Sequence, residues 1–387
     1  MDPTPNYCKI YDSFNLTPTL SVSDNVNYYT GADNPGFKEY LNTNIDKKKY
    51  NCDTVIYEKI EKLKKSFNNP DFLTISRKLN PFDKLGNSVF ISKDAVKLGN
   101  IDAVIPFTGV RFTPLLMQDN IKLTFCDLAG APGAFSQYIK YRYPNAVGYG
   151  ISPIEKNQSL NWKRDVLGKN YNIFYGGDNS GDLLKVSDQF INFVLNDNEG
   201  VDLVTANAGI DGIHQDDEYN MSSFLLSECY IALHVLKYGG YLVIKTYSTV
   251  SMIVEHIIYL LSTCFEKIAF IKPISSRPDT SEKYLVCLNI NNNIEKQKKI
   301  FKNAYLQIKK NKNLSGLIDH TPDDFKKWLT YNNNLFLKQQ HVACSAIYDA
   351  INGKEIDTEN YNLSKIFTLW SLPDNKTKKD DLIKAYY

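Results

Sequence analysis

The sequence predicts an α/β fold built on a mostly parallel sheet with an antiparallel hairpin at its edge. Three observations carry that expectation. From about Lys122 to Ile290 short apolar runs alternate with amphipathic ones, the pattern of strands joined by crossover helices. A glycine-rich turn, "FCDLAGAPGAFSQYI" (Phe125–Ile139), follows the first run. The last two runs are separated by a polar segment too short for a helical crossover, so they should pair antiparallel.

In order, the apolar runs are Lys122–Asp127, Ala146–Ile151, Val201–Ala206, Gly240–Thr246, Ile268–Pro273 and Lys283–Ile290. Helical patterns lie between them, clearest over Asn220–Gly240, where a double glycine suits a C-terminal cap. Residues 1–70 mix turn formers with a short helical stretch near Val55–Phe67 and lack a core pattern. Beyond Asn291 the chain is lysine-rich and helical, with aromatic anchors at Trp328, Phe336, Phe367 and Trp370 and a basic tail from Lys376. The expected division is an extension over 1–70, the α/β domain over 71–292 and a helical appendage over 293–387.

Composition excludes more than it identifies. The 387 residues carry 45 Lys+Arg against 43 Asp+Glu, a net +2 that gives no global field toward a polyanion. Lysine clusters at 42–51, 61–67 and 295–313 read first as solvated faces and second as phosphate surfaces. Seven single cysteines without a CxxC pair argue against a metal site or disulfide framework and for an intracellular reducing compartment. The first residues show no signal-peptide pattern, and no apolar stretch is long enough to span a membrane. Abundant Asn, Lys and Tyr suit an AT-rich coding genome, that of a large DNA virus included.

Two places invite chemistry. In the glycine-rich turn, Asp127 ends a strand, Gly130 and Gly133 allow close backbone approach, and a helix from about Ala134 directs N–H groups at an acceptor. The spacing is not GxGxxG, and a plain tight turn is the competing reading. The second place is Lys245, which closes an apolar run at the carboxyl end of a strand. A charge there is costly unless it is paired or used.

"DLAGAPGAFS" resembles the S-adenosylmethionine loop of the FtsJ/RrmJ-type RNA 2′-O-methyltransferases. "NPFDKLGNSVFISKDAVKLGNID" (Asn80–Asp102), "KPISSRPDTSEKYLVC" (Lys272–Cys287) and "LWSLPD" (Leu369–Asp374) narrow the resemblance to the cap-1 mRNA (nucleoside-2′-O-)-methyltransferases. It covers Arg77–Ile290 well, the tail patchily and the first 70 residues not at all.

The resemblance implies a Rossmann-like S-adenosylmethionine methyltransferase sheet and a catalytic Lys-Asp-Lys-Glu set. The matching positions are Lys97, Asn207, Lys245 and Glu282, with asparagine where the family has aspartate and Lys245 as the central base. It places S-adenosyl-L-methionine against Asp127, Gly130, Ala131, Pro132, Gly133, Ala134 and Phe135, with Asp182 beside the adenine; a helix N-cap is the competing role for Asp182. For the cap and RNA it implies Arg77, Lys78, Phe82, Arg111, Asp216, Asp217, Ser276 and Arg277.

The implied activity is methylation of the first transcribed nucleotide of capped mRNA, in the nucleus, the cytoplasm or a viral factory. Asn207 keeps a second reading open: a catalytically impaired subunit that binds capped RNA or partners such as other capping or RNA polymerase subunits. A third, a ribosomal or transfer RNA substrate, fits the cap-type motifs less well.

Overall fold

Each apolar run becomes a strand of one sheet in the computed structural model, which describes residues 26–31, 36–43, 51–67, 71–80, 83, 90–107, 123–197, 199–209, 218–355, 366–368 and 370–373. Chain order runs β1 (Glu39–Asn42), α1 (Thr54–Lys65), α2 (Phe72–Leu79), α3 (Lys93–Val104), β2 (Thr124–Leu128), α4 (Ala134–Arg142) and β3 (Val147–Ile151). It continues through α5 (Arg164–Leu167), β4 (Tyr171–Phe174), α6 (Leu183–Asp197), β5 (Val201–Ala206), α7 (Glu218–Val235) and β6 (Leu236–Thr246). The last elements are α8 (Met252–Ser262), β7 (Phe265–Ile271), β8 (Lys283–Ile290), α9 (Glu295–Ile308), β9 (Gly316–Ile318) and α10 (Asp323–Ile351).

The seven-stranded sheet has the order β4-β3-β2-β5-β6-β8-β7. β4, β3, β2, β5 and β6 pair in parallel, while β8 runs antiparallel to both β6 and β7. Alternation sorts neighbouring residues onto opposite faces. Val204, Leu242 and Ile244 meet α6 to α10 on one side, and Leu203, Val243 and Val286 meet α3 and α4 on the other. This is the Rossmann-like sheet that the sequence predicts.

Two local expectations are corrected. The helix read over Asn220–Gly240 ends at Val235, and Gly239 and Gly240 lie inside β6. The register against β5 shifts between Val201 and Leu203, so the glycines serve a bulge rather than a helix cap. A Cβ on Gly240 would meet the carbonyl oxygens of Lys237 and Asp202 at 2.9 and 3.0 Å. β4 was not among the predicted strands, because four residues at a sheet edge, one of them Asn172, leave little apolar signal.

The described residues before 71, a region with no core pattern in sequence, are held from a distance. β1 pairs antiparallel with β9, with Glu39 opposite Ile318 and Asn42 opposite Gly316, and Tyr29 bridges to Ile268. Phe37 is 2% exposed within the main core, and Ile60 of α1 packs on Leu337 and Cys344 of α10. His256 of α8 secures β9: its Nδ1 accepts the Leu317 N–H at 3.0 Å. Burial, then Lys326, lowers its pKa to about 4, so it stays a neutral acceptor. Of the aromatic anchors, Trp328, Phe367 and Trp370 are buried and Phe336 packs partly buried on the core. Among the described residues no helix is long and apolar enough to cross a membrane.

Candidate active site

Parallel pairing sets the carboxyl ends of β2, β3, β5 and β6 along one edge of the sheet. Asp127, Asn207 and Lys245 therefore converge there from distant parts of the chain, at the place where open α/β sheets bind ligands. Asp127 is fully buried. Its carboxylate accepts from the Ser136 N–H at 3.2 Å, the Ser136 hydroxyl at 2.5 Å and the Thr205 hydroxyl at 3.0 Å. Burial raises its pKa to about 6 against the pull of those donors. It thus braces the glycine-rich turn from inside.

The turn wraps that carboxylate closely. A Cβ on Gly130 would lie 2.2 Å from Asp127 Cγ and 2.4 Å from each oxygen. Ala131–Pro132 is a cis peptide, and Gly133, at φ +109°, starts α4 without a side-chain cap. Gly133 offers no side-chain cap, and of the first-turn N–H groups that of Ser136 is held by Asp127. The Trp162 indole N–H is buried beside the turn and has no partner among the described residues. Asp182 sits at the start of α6: its Oδ1 accepts the Leu184 N–H at 3.0 Å, and Oδ2 meets Lys185 at 3.1 Å.

The two candidate lysines have different company. Lys97, on α3, is 6% exposed and lies 2.9 Å from Asp94 and 2.8 Å from Glu282. Burial would lower its pKa, but Asp94 and Glu282 hold it well above the ordinary value. Glu282 also accepts the Ser276 hydroxyl at 2.5 Å. Against burial, Lys97 and then Lys245 hold its carboxyl far below the usual range. Lys245 is half-buried at the end of β6 and donates to the Asn207 carbonyl oxygen at 2.8 Å. The Asn207 side chain instead accepts the Tyr284 hydroxyl at 3.4 Å, and its own N–H holds Leu128 O at 3.0 Å.

The remaining candidates divide. Ser76 of α2 donates to Asp279 at 2.8 Å, and Arg277 meets the same carboxylate at 3.3 Å. This joins the helix bearing exposed Arg77 and Lys78 to the Ser276–Glu282 segment. Phe82, Arg111, Asp216 and Asp217 lie outside the described residues. Among those described, no group of His, Cys, Asp and Glu could hold a metal ion. Sequence reasoning missed Asp94, Tyr284 and Glu228. Asp94 looks like any first-turn helix acid, but Glu228 interrupts the apolar run "FLLSECYIALHVL", and that was a usable signal.

Residues 90–290, just over half of the chain, match the family described as FtsJ-like methyltransferase. A Mus musculus protein named cap-specific mRNA (nucleoside-2′-O-)-methyltransferase 1 is 27% identical over 322 residues, 76% of this chain and 38% of the relative. The Drosophila melanogaster protein of that name is 28% identical over 360 residues, 84% of this chain and 44% of its own. The Ailuropoda melanoleuca one is 32% identical over 225 residues, 54% and 27% respectively. The chain spans less than half the length of these relatives.

Proposed function

The chain belongs to the FtsJ-like methyltransferase family, and from that premise we propose that it methylates the ribose 2′-hydroxyl of the first transcribed nucleotide of capped mRNA. The observation that carries this reading is the contrast between the lysines. Lys97 is locked as an ammonium between two carboxylates, while Lys245, at the sheet edge, has a carbonyl contact and no carboxylate within ion-pair distance among the described residues.

The glycine-rich turn fits S-adenosyl-L-methionine: the α4 N–H groups ahead of Ser136 and the Trp162 N–H offer donors, and Gly130 to Phe135 offer close backbone approach. When bound, S-adenosyl-L-methionine supplies an electrophilic methyl group. Lys245 then takes the proton of the ribose hydroxyl, general base work worth about 10²–10⁴-fold in rate. Lys97 and Glu282 hold the ribose side of the site, and Asn207 aims Lys245 through its backbone carbonyl. That carbonyl is indifferent to whether residue 207 is Asn or Asp, which supports turnover over the impaired-subunit reading. Arg77, Lys78, Ser276 and Arg277 serve the RNA path, and the work is placed in the nucleus or cytoplasm with capped mRNA.

Two outcomes follow. Gly130→Ala drives a methyl into the Asp127 carboxylate and is expected to weaken S-adenosylmethionine binding by about tenfold or more, read by calorimetry. With labelled donor, capped RNA is expected to be methylated at least about tenfold faster than the same RNA uncapped. Equal rates would remove cap recognition from the reading.

A further inference from the structure

Among the described residues Lys245 has no carboxylate within ion-pair distance, although its neighbour Lys97 has two. A small pocket opens beside Lys245 where β6, α7 and α8 meet, and two acids, Glu218 and Glu228, line it. Glu218 is held by one oxygen: its Oε1 accepts from the Ser251 N–H at 2.9 Å and hydroxyl at 3.0 Å, at the start of α8, while its Oε2 is buried without a hydrogen-bond partner among the described residues. Glu228 is different. It is 1% exposed within the apolar helix α7, and its Oε1 accepts the Ala208 N–H at 2.9 Å. A leucine or methionine would fill that helix position at lower desolvation cost. The acid instead grips the backbone one residue beyond the carbonyl that holds Lys245.

We propose that Glu228 is a positioning residue for Lys245: it fixes the 207–209 backbone through the Ala208 N–H and, when ionised, adds a negative charge on the α7 side of the Lys245 ammonium. The inference rests on Lys245 being the base of the proposed reaction. It also gives a reason why a site with asparagine at 207 can keep an anion near its lysine. Glu282 and Asp94 act on Lys245 from the β8 and α3 side, and Glu228 adds an acid from the α7 side.

Burial raises the Glu228 pKa to about 8, while the Ala208 N–H and then Lys245 pull it back. The titratable groups around it are Lys245 and Tyr247 from β6 and the turn after it, and Glu218 and Cys229 on α7. Glu228 is therefore protonated below about 8 and ionised above it. Its contribution to turnover grows as pH rises toward 8 and levels beyond.

The test is kcat against pH for wild type, Glu228→Gln and Asn207→Asp/Glu228→Gln, with labelled donor and capped RNA. Glutamine keeps an acceptor for the Ala208 N–H and removes the charge. Glu228→Gln is expected to lose the limb near pH 8 and to lower kcat by about tenfold above it, with KM for RNA little changed. The double variant is expected to recover to within about threefold of wild type, because the carboxylate is restored one residue away. A Glu228→Gln profile that overlays wild type, or a double variant no better than the single, overturns the proposal.

A second measurement does not require turnover. In protein carrying 13C-labelled glutamate, the Glu228 carboxyl should titrate near 8 and move upward in Lys245→Ala, which loses the neighbouring cation. An unmoved midpoint overturns the pairing. A moved midpoint in a protein that transfers no methyl group supports the pairing and removes only the reaction.

Discussion

Lys245→Ala is expected to lower kcat for methyl transfer by about 10²–10⁴-fold, the span of a positioned general base, while binding of S-adenosylmethionine changes little. The lysine reaches the sheet edge on β6 and donates to the Asn207 backbone carbonyl. Removing it leaves the Asn207–Leu128 contact and the glycine-rich turn intact. The loss should therefore appear in kcat, with KM for donor and RNA near wild type. Lys245→Arg should be nearly as inactive, since a guanidinium keeps its charge and cannot take a proton. Single-turnover kinetics with labelled donor check both. A loss confined to KM would make Lys245 a binding residue.

Glu282→Ala is expected to damage folding and activity together. Glu282 accepts from Lys97 and Ser276, and the two side chains of the ion pair are 8% and 13% exposed. Breaking a buried pair costs about 3–5 kcal/mol. Asp94 still accompanies Lys97, so the lower end is expected.

The sign with pH follows from the paired shifts. The Glu282 carboxyl is depressed, so its contribution is complete above its ordinary value of 4.5 and is lost as pH falls below that. Lys97 is raised, so the same interaction is complete below the ordinary lysine value of 10.5 and is lost as pH climbs past it. Between those limits Glu282→Ala should unfold at lower denaturant than wild type. The gap should narrow in acid, where the wild-type carboxylate is being protonated. A gap independent of pH would assign the loss to packing rather than charge.

Six of the seven strands of the sheet were readable, β4 being the exception, because each is a short run of apolar residues whose neighbours along the chain carry polar punctuation. Lys245 was readable for a related reason: a lysine inside "YLVIKT" contradicts its surroundings. The limits are equally physical. Gly239 and Gly240 suit a helix end as well as a strand bulge, and only the β5 register decides between them. The β1–β9 pairing joins residues more than 270 positions apart, which no local pattern encodes. Asp94 and Glu282 become meaningful only when folding sets Lys97 between them. Asp127 occupies the expected place but turns inward to Ser136 and Thr205, and the hydrogen bond of Asp182 at the start of α6 likewise emerges only in three dimensions.

Asn207 shows the same dependence on backbone. As a residue type it removes an expected charge; in the fold, its carbonyl oxygen holds Lys245 and its amide oxygen meets Tyr284. The decisive measurement is the product formed by the protein with Asn207 in place. Capped RNA of defined sequence is incubated with S-adenosylmethionine, digested to nucleosides and cap dinucleotide, and resolved by mass spectrometry. A 2′-O-methyl group on the first transcribed nucleotide, absent from the Lys245→Ala reaction, is the expected result. No methylated product from wild type, or one that persists in Lys245→Ala, would contradict it.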